Sequence, residues 1–386
     1  MSKKSADRDS LKRISRRDLI KLAATASVLA GCRALEKVIT PTVAPIPTHT
    51  PSAPPSATPT VAASATPTAA PSATPTAAPS ATPTAAPSAT PTAPPTASGV
   101  VVRARHAGVW DGDALAPEAL RHVLDASVTA LTGLDDAGQA WASLFAPSER
   151  IAIKVNTIGS SRYWTHAPLV VAVTERLQAA GIPPEQIIIF DRHSRELERA
   201  GYSINQDQPG VRCYGTDGGY TKDYKLIEHA IGLSDILLGC DALINMPVLK
   251  HHDLSGLTFA MKNHYGTFDR PEVFHQPLIG QAIAELNAMP PIQDRTRLVI
   301  GDALTVCPLS RGGWYQAVNA DAILMSLDPV AHDAVGLQML CEVMISEGHD
   351  PAGAVDLANQ WLARSVKLGL GTSDPDKIEL KELTLG

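Results

Sequence analysis

Six short apolar runs punctuate the chain: Val100–Val102, Ile151–Val155, Ile187–Phe190, Ala242–Asn245, Leu298–Ile300 and Ala322–Met325. They do not alternate with polar residues, which is the pattern of strands covered on both faces. Between several of them lie segments with helical spacing. Pro117–Leu131 opens on a proline and puts Leu120, Val123, Leu124, Val128 and Leu131 on one face. Pro168–Ala180 stops at Gly181, and Pro329–Met344 is a long apolar helix. The alternation predicts an α/β fold, a mostly parallel sheet flanked by helices.

The pattern is absent from the front of the chain. Residues 41–98 hold 16 of the 31 prolines and no Asp, Glu, Lys or Arg. The octad starting at Pro71 returns at Pro79 and, with one change, at Pro87. Such a segment has too little apolar bulk to offset its ordering entropy, so a disordered, extended stalk is expected. Ahead of it, Ser15-Arg16-Arg17-Asp18-Leu19-Ile20-Lys21 resembles the twin-arginine export motif. A short apolar run follows and ends in Leu29-Ala30-Gly31-Cys32, which resembles the cleavage box of a bacterial lipoprotein. That resemblance implies a signal peptide over 1–31, a lipidated Cys32 and stalk over 32–98, and one globular domain over 99–386. It also implies a chain anchored in membrane lipid through Cys32 on the outer face of the cytoplasmic membrane or in the cell envelope. The twin-arginine translocase, reading Arg16 and Arg17, and the lipoprotein-processing enzymes are then its partners during export.

Charge narrows the function classes. The net charge is −6 despite a basic leader, so the remainder is more acidic still, and only 4% of the residues are aromatic. Neither a phosphate-neutralising surface nor a stacking platform for nucleic acid is expected.

Polar residues gather where the strands stop. Asn156 follows the second run, Asp191 the third, Pro247 and Lys250 the fourth, Asp302 the fifth and Asp328 the sixth. Open α/β sheets bind ligands beyond the carboxyl ends of their strands, so these residues should share one rim. The richest stretch, from Lys250 through His251, His252, Ser255, Gly256, Lys262, Asn263, His264 and Gly266 to His275, reads as a binding loop. Its histidines and lysines suit anion recognition, proton transfer or metal ligation. No zinc-motif spacing is present. His251 and His252 are neighbours, so one of them should face the site. Gly256 and Gly266 would let backbone approach a ligand closely.

Ile153-Lys154-Val155-Asn156, Thr165-His166-Ala167-Pro168, Asp191, Asn245 through His252, Lys262-Asn263-His264-Tyr265-Gly266, Asp302-Ala303 and Leu327 through Ala334 together resemble the family known as domain of unknown function 362. The likeness spans nearly all of 100–345 and implies the fold, but no reaction. It marks Lys154, Asn156, His166, Lys250, His251, Asn263 and Gly266 as ligand-binding candidates. Family members often carry an iron–sulfur segment, but the chain has no run of closely spaced cysteines, so no built-in iron–sulfur cluster is expected. A more distant similarity, to the nickel-pincer lactate racemases, implies His193 and His252 as an acid/base pair. It also implies Lys262 as the cofactor attachment and His275 as a metal ligand, and Asp191, Asp302 and Asp328 are further metal candidates.

Cys213, Cys240, Cys307 and Cys341 allow two disulfides in three pairings, but buried free thiols are the expectation. Two classes stand: an enzyme acting on a small anionic ligand at the strand-end Lys/His/Asp site, or a tethered ligand- or metal-binding lipoprotein without chemistry.

Overall fold

The computed structural model describes residues 99–159, 163–310 and 317–386. The export motif, Cys32 and the proline-rich segment lie outside the described residues. Fourteen strands are present among the described ones: β1 (Val100–His106), β2 (Trp110–Asp111), β3 (Ala114–Leu115), β4 (Ile151–Lys154), β5 (Ile187–Phe190), β6 (Arg212–Cys213), β7 (Tyr220–Leu226), β8 (His229–Ser234), β9 (Ala242–Asn245), β10 (Val248–His252), β11 (Gly256–Thr258), β12 (Thr296–Cys307), β13 (Val318–Ser326) and β14 (Glu379–Leu385). The principal helices are α1 (Pro117–Thr132), α2 (Ala137–Leu144), α3 (Ala167–Ala179), α4 (Ala260–Asn263), α5 (Ile279–Asn287), α6 (Pro329–Ser346) and α7 (Ala352–Lys367).

One ten-stranded sheet carries the fold, in the order β14-β1-β13-β12-β9-β4-β5-β6, with β10 and β11 branching from β12. Pairing is parallel except where β13 meets β1 and β12, and where β10 meets β11. Helices cover both faces. Ile151, Ile153, Ile189, Ile244, Leu298 and Ile300 pack in one core with α1, α2 and α3. Ala152, Phe190, Leu243 and Leu324 face the other, with α5, α6 and α7. All six apolar runs are strands, and all three expected helices form within a residue or two of their expected limits. Continuous apolar runs and two covered faces are the same fact seen twice.

Two expectations about strand ends are corrected. Leu298–Ile300 is the middle of a twelve-residue strand, so Asp302 lies within β12 and not beyond it. Lys250 belongs to a strand, not a loop: β10 continues along β12 where β9 leaves off, pairing Val248 with Asp302 and Lys250 with Cys307. Pro247 marks the break, and its carbonyl still accepts from the Asp302 N–H at 2.8 Å. A proline cannot donate to the ladder, so one strand-like run is divided at that point. Among the described residues no helix is long and apolar enough to cross a membrane.

Candidate functional site

At the carboxyl ends of β4 and β5, Lys154 and Asp191 form a buried ion pair, Nζ to Oδ1 at 2.7 Å. The Lys154 ammonium also donates to the Val155 carbonyl at 2.6 Å and reaches Asn263 Oδ1 at 3.4 Å. Asp191 accepts from Thr157, through its N–H at 2.8 Å and its hydroxyl at 2.7 Å, and from the Arg192 N–H at 2.8 Å. Asn263 donates to Asn245 Oδ1 at 2.7 Å and to the Lys154 carbonyl at 3.2 Å. A Cβ on Gly266 would lie 2.6 Å from both Asp191 Oδ1 and Lys154 Nζ. The close approach that Gly266 permits is therefore to this ion pair, not to a ligand. Gly256 is corrected likewise: its Cβ would meet the Ala354 carbonyl oxygen of α7 at 2.0 Å.

Asn156 joins this network to Lys250. Its Nδ2 donates to Asn263 Oδ1 at 3.3 Å, and its Oδ1 accepts from Lys250 Nζ at 2.9 Å. Lys250 also donates to the Ile158 carbonyl at 2.6 Å, with the Tyr163 carbonyl at 3.5 Å. Burial is the main cause that lowers its pKa to about 8, and the Lys154 charge adds to the effect.

Lys262 is held differently. It rides on the single turn of α4, whose first N–H groups would be buried orphans without a partner. Asp333 of α6 supplies one, its carboxylate accepting from the Ala260 N–H at 2.8 Å and the Met261 N–H at 2.9 Å. Behind the turn, Phe259 stacks on His332 with ring centroids 4.3 Å apart. Gly301 and Gly336 leave room for that ring, since a Cβ on either would come within 2.5 Å of Phe259. The Lys262 side chain is 9% exposed, and its ammonium stands 4.8 Å from the centre of the Tyr265 ring. Tyr265 is fixed by its hydroxyl, which lies 3.0 Å from the Phe274 carbonyl. Burial, reinforced by Lys250, lowers the Lys262 pKa to about 7.

Two imidazoles complete the cluster. His252 and His275 lie with centroids 6.2 Å apart, and His275 meets the Tyr265 ring edge-on at 5.8 Å. His252 Nδ1 accepts the Leu254 N–H at 3.2 Å, which leaves the ring proton on Nε2. His275 Nδ1 lies 3.0 Å from the Pro271 carbonyl and donates to it, so in the neutral ring Nε2 is the acceptor. Burial first, then the Lys262, His275 and Lys250 charges, holds His252 down to about 2, a neutral donor at any physiological pH. His251 turns the other way, as alternation along β10 requires, with Nδ1 3.0 Å from Ser310 Oγ.

The remaining candidates are dispersed. Asp302 is fully buried and accepts from His166 twice, through Nδ1 and the backbone N–H, each at 2.8 Å. Burial alone would lower the His166 pKa, but this carboxylate outweighs it and the net shift is upward. Asp328 caps α6, accepting from the Val330 and Ala331 N–H groups at 2.9 and 2.8 Å, and Thr372 N–H also reaches it at 3.0 Å. His193 stands before a short helix with Asp217 at 3.6 Å, and it is His275 whose ring lies beside His252. The metal set of His275, Asp191, Asp302 and Asp328 is therefore not assembled: each aspartate is spent on a local partner. Among the described residues no group of three or more His, Cys, Asp or Glu side chains is placed to hold a metal ion. A metal centre built from these residues does not fit. The four cysteines of the globular part are free and buried, and burial pushes Cys307 and Cys240 to about 11.

Tyr265 and Asp333 escaped the sequence reading of the site. Both lie inside motifs quoted for the family resemblance, but no pattern says that residue 333 caps a turn at 260.

The family model for Domain of unknown function (DUF362) matches residues 151–338, a shorter span than the motifs suggested. No curated protein matches the chain. The solved structures that resemble it include the following two. One is a Thermotoga maritima protein, 11% identical with a TM-score of 0.35, the match covering 61% of this chain and 60% of that one. The other is the lactate racemase apoprotein of Thermoanaerobacterium thermosaccharolyticum, 9% identical with a TM-score of 0.34, over 63% of this chain and 57% of that one. Likenesses that low carry nothing about chemistry, and the match spans less than two thirds of either chain.

Proposed function

We propose, for a chain whose residues 151–338 match the family model for Domain of unknown function (DUF362), a family defined without a reaction, that the Lys250–Lys262–His252–His275 cluster binds a small organic anion and moves protons on it. One observation carries the reading. Lys262 is a buried amine that has no carboxylate or carbonyl acceptor among the described residues and stands in the field of a second lysine. A protein in which acidic residues outnumber basic ones has set one lysine in the field of another and left it without a counter-ion among the described residues. An anionic ligand supplies that counter-ion and relieves both depressed pKa values. Catalysis is favoured over passive binding by the two rings: His252 offers an Nε2 proton and His275 an Nε2 lone pair, a donor and an acceptor side by side.

The test is thermal stabilisation of the full chain by inorganic phosphate and by acetate at slightly acidic pH. Both should raise the melting temperature, and Lys262→Ala should lose most of the rise. Equal stabilisation of that variant would sink the reading.

The same proposal includes an address. The spacing of Arg16 and Arg17 before Cys32 supports export through the twin-arginine route and a lipid anchor at Cys32, with the proline-rich segment as tether. Cys32→Ala should accumulate as uncleaved precursor in the cells that make it. Normal processing of that variant would contradict the anchor.

A further inference from the structure

Lys262 has the surroundings of an amine nucleophile. An amine attacks carbon only when unprotonated, and proteins keep lysine so by desolvation or by a neighbouring cation. Both causes act here: the side chain is buried against the Tyr265 ring, and Lys250 is the charge that opposes its protonation. The turn that carries it is pinned at one end by Asp333, and Asn287 Nδ2 donates to the Met261 carbonyl at 2.8 Å, so the backbone beneath the amine is fixed.

A proton donor and a proton acceptor accompany it. His252, on which Lys262 is the strongest neighbouring charge, keeps its ring proton on Nε2. A neutral imidazole is a good hydrogen-bond donor to a developing oxyanion, because it stabilises the charge without first surrendering its own proton. In its neutral form His275, with Nδ1 donating to Pro271, offers an Nε2 lone pair beside it. Lys250 has two short bonds to oxygen and a weak third, to the Tyr163 carbonyl at 3.5 Å, the one that an anionic group would displace.

We propose that Lys262 is the covalent nucleophile of a site for small oxo acids, its amine condensing with the substrate carbonyl to an imine while Lys250 holds the acid group. This rests on the anion-site reading above and names its substrate class. The Lys262 nitrogen attacks the carbonyl carbon, a C–N bond forms, and the carbonyl π pair moves to oxygen, where the His252 Nε2 proton stabilises it. His275 Nε2 carries the two amine protons, one after the other, from nitrogen to that oxygen. The C–O bond then breaks, and the oxygen leaves as water with both protons that the amine began with. Amine plus carbonyl gives imine plus water, and no oxidant or reductant enters.

The experiment is borohydride trapping on the full chain with pyruvate as probe, read by peptide mass. A reduced adduct is expected on the peptide bearing Lys262, more abundant as pH rises through about 7, where the amine loses its proton. Lys262→Arg keeps the charge and should give no adduct at that peptide. Lys250→Met should raise the pyruvate concentration for half-maximal trapping about tenfold, the loss of one charged contact. Acetone, which has the carbonyl without the acid, should trap poorly. Stabilisation by phosphate with no Lys262 adduct would overturn the imine and leave the anion site standing. Neither stabilisation nor adduct would overturn both, and trapping of acetone as readily as pyruvate would overturn the oxo-acid class.

Discussion

Lys154 and Lys262 are both buried at the same rim, yet the protein treats them in opposite ways. Lys154 has Asp191 at 2.7 Å and a carbonyl at 2.6 Å, inside a network in which Asn156, Asn245 and Asn263 share their amides. Lys262 has an aromatic face at 4.8 Å and a second lysine for company. A buried charge that is paired and hydrogen-bonded is a structural element; a buried charge without a counter-ion awaits one. Asn156 touches both regimes, since it bonds Asn263 on one side and Lys250 on the other. The rim therefore has a rigid half and a receptive half, and the comparison can be broken experimentally at either.

The largest effect should come from the rigid half. Asp191→Ala leaves Lys154 buried without its counter-ion, and such a cut costs about 3–5 kcal/mol. Urea denaturation measures it, and a loss under about 1 kcal/mol would mean the pair is not the anchor described. Next in size is Asp333→Ala, which orphans the Ala260 and Met261 N–H groups at a cost of roughly 1–3 kcal/mol. That variant should also weaken phosphate stabilisation, because the turn beneath Lys262 is released, whereas Asp328→Ala should lower stability alone.

The smallest effect should lie in the receptive half, and it has the opposite sign. Lys262→Met keeps most of the length of the side chain and removes a charge with no counter-ion among the described residues, so stability near neutral pH should hold or rise by about 1 kcal/mol. Its pH dependence is more telling. With a folded pKa of about 7 against an ordinary 10.5, the unfolded chain binds the extra proton between those values. Stability of the natural protein therefore rises with pH across that window, and the penalty is fully present below it. Lys250, lowered to about 8, adds slope in much of the same range, so the difference between natural protein and Lys262→Met isolates the Lys262 share. Parallel curves would show that Lys262 titrates normally.

What was legible in the sequence follows the range of the interactions. The six strands and three helices are local patterns, so apolar runs such as Ile187–Phe190 reveal them directly. Lys250, His252, Lys262 and His275 were found because histidines and lysines crowd one stretch. Their division of labour was not, because it depends on distant partners: Asp333 on α6 for the turn at 260, Asp191 for Lys154, Asn156 for Lys250. Asp302 and Asp328 misled too. A carboxylate after an apolar run looks free in sequence, but one is bound to His166 and the other caps a helix. The strand β10 was missed because Pro247 interrupts an otherwise continuous pairing with β12.

The anion site proposed at Lys262 has one direct test. The ionisation midpoint of Lys262 can be followed by nitrogen NMR of the lysine-labelled full chain, with Lys262→Met to assign the signal. Without phosphate the midpoint should fall near 7, and with saturating phosphate it should move up toward the ordinary 10.5. A midpoint that starts near 10.5, or one that phosphate leaves unmoved, would contradict the account.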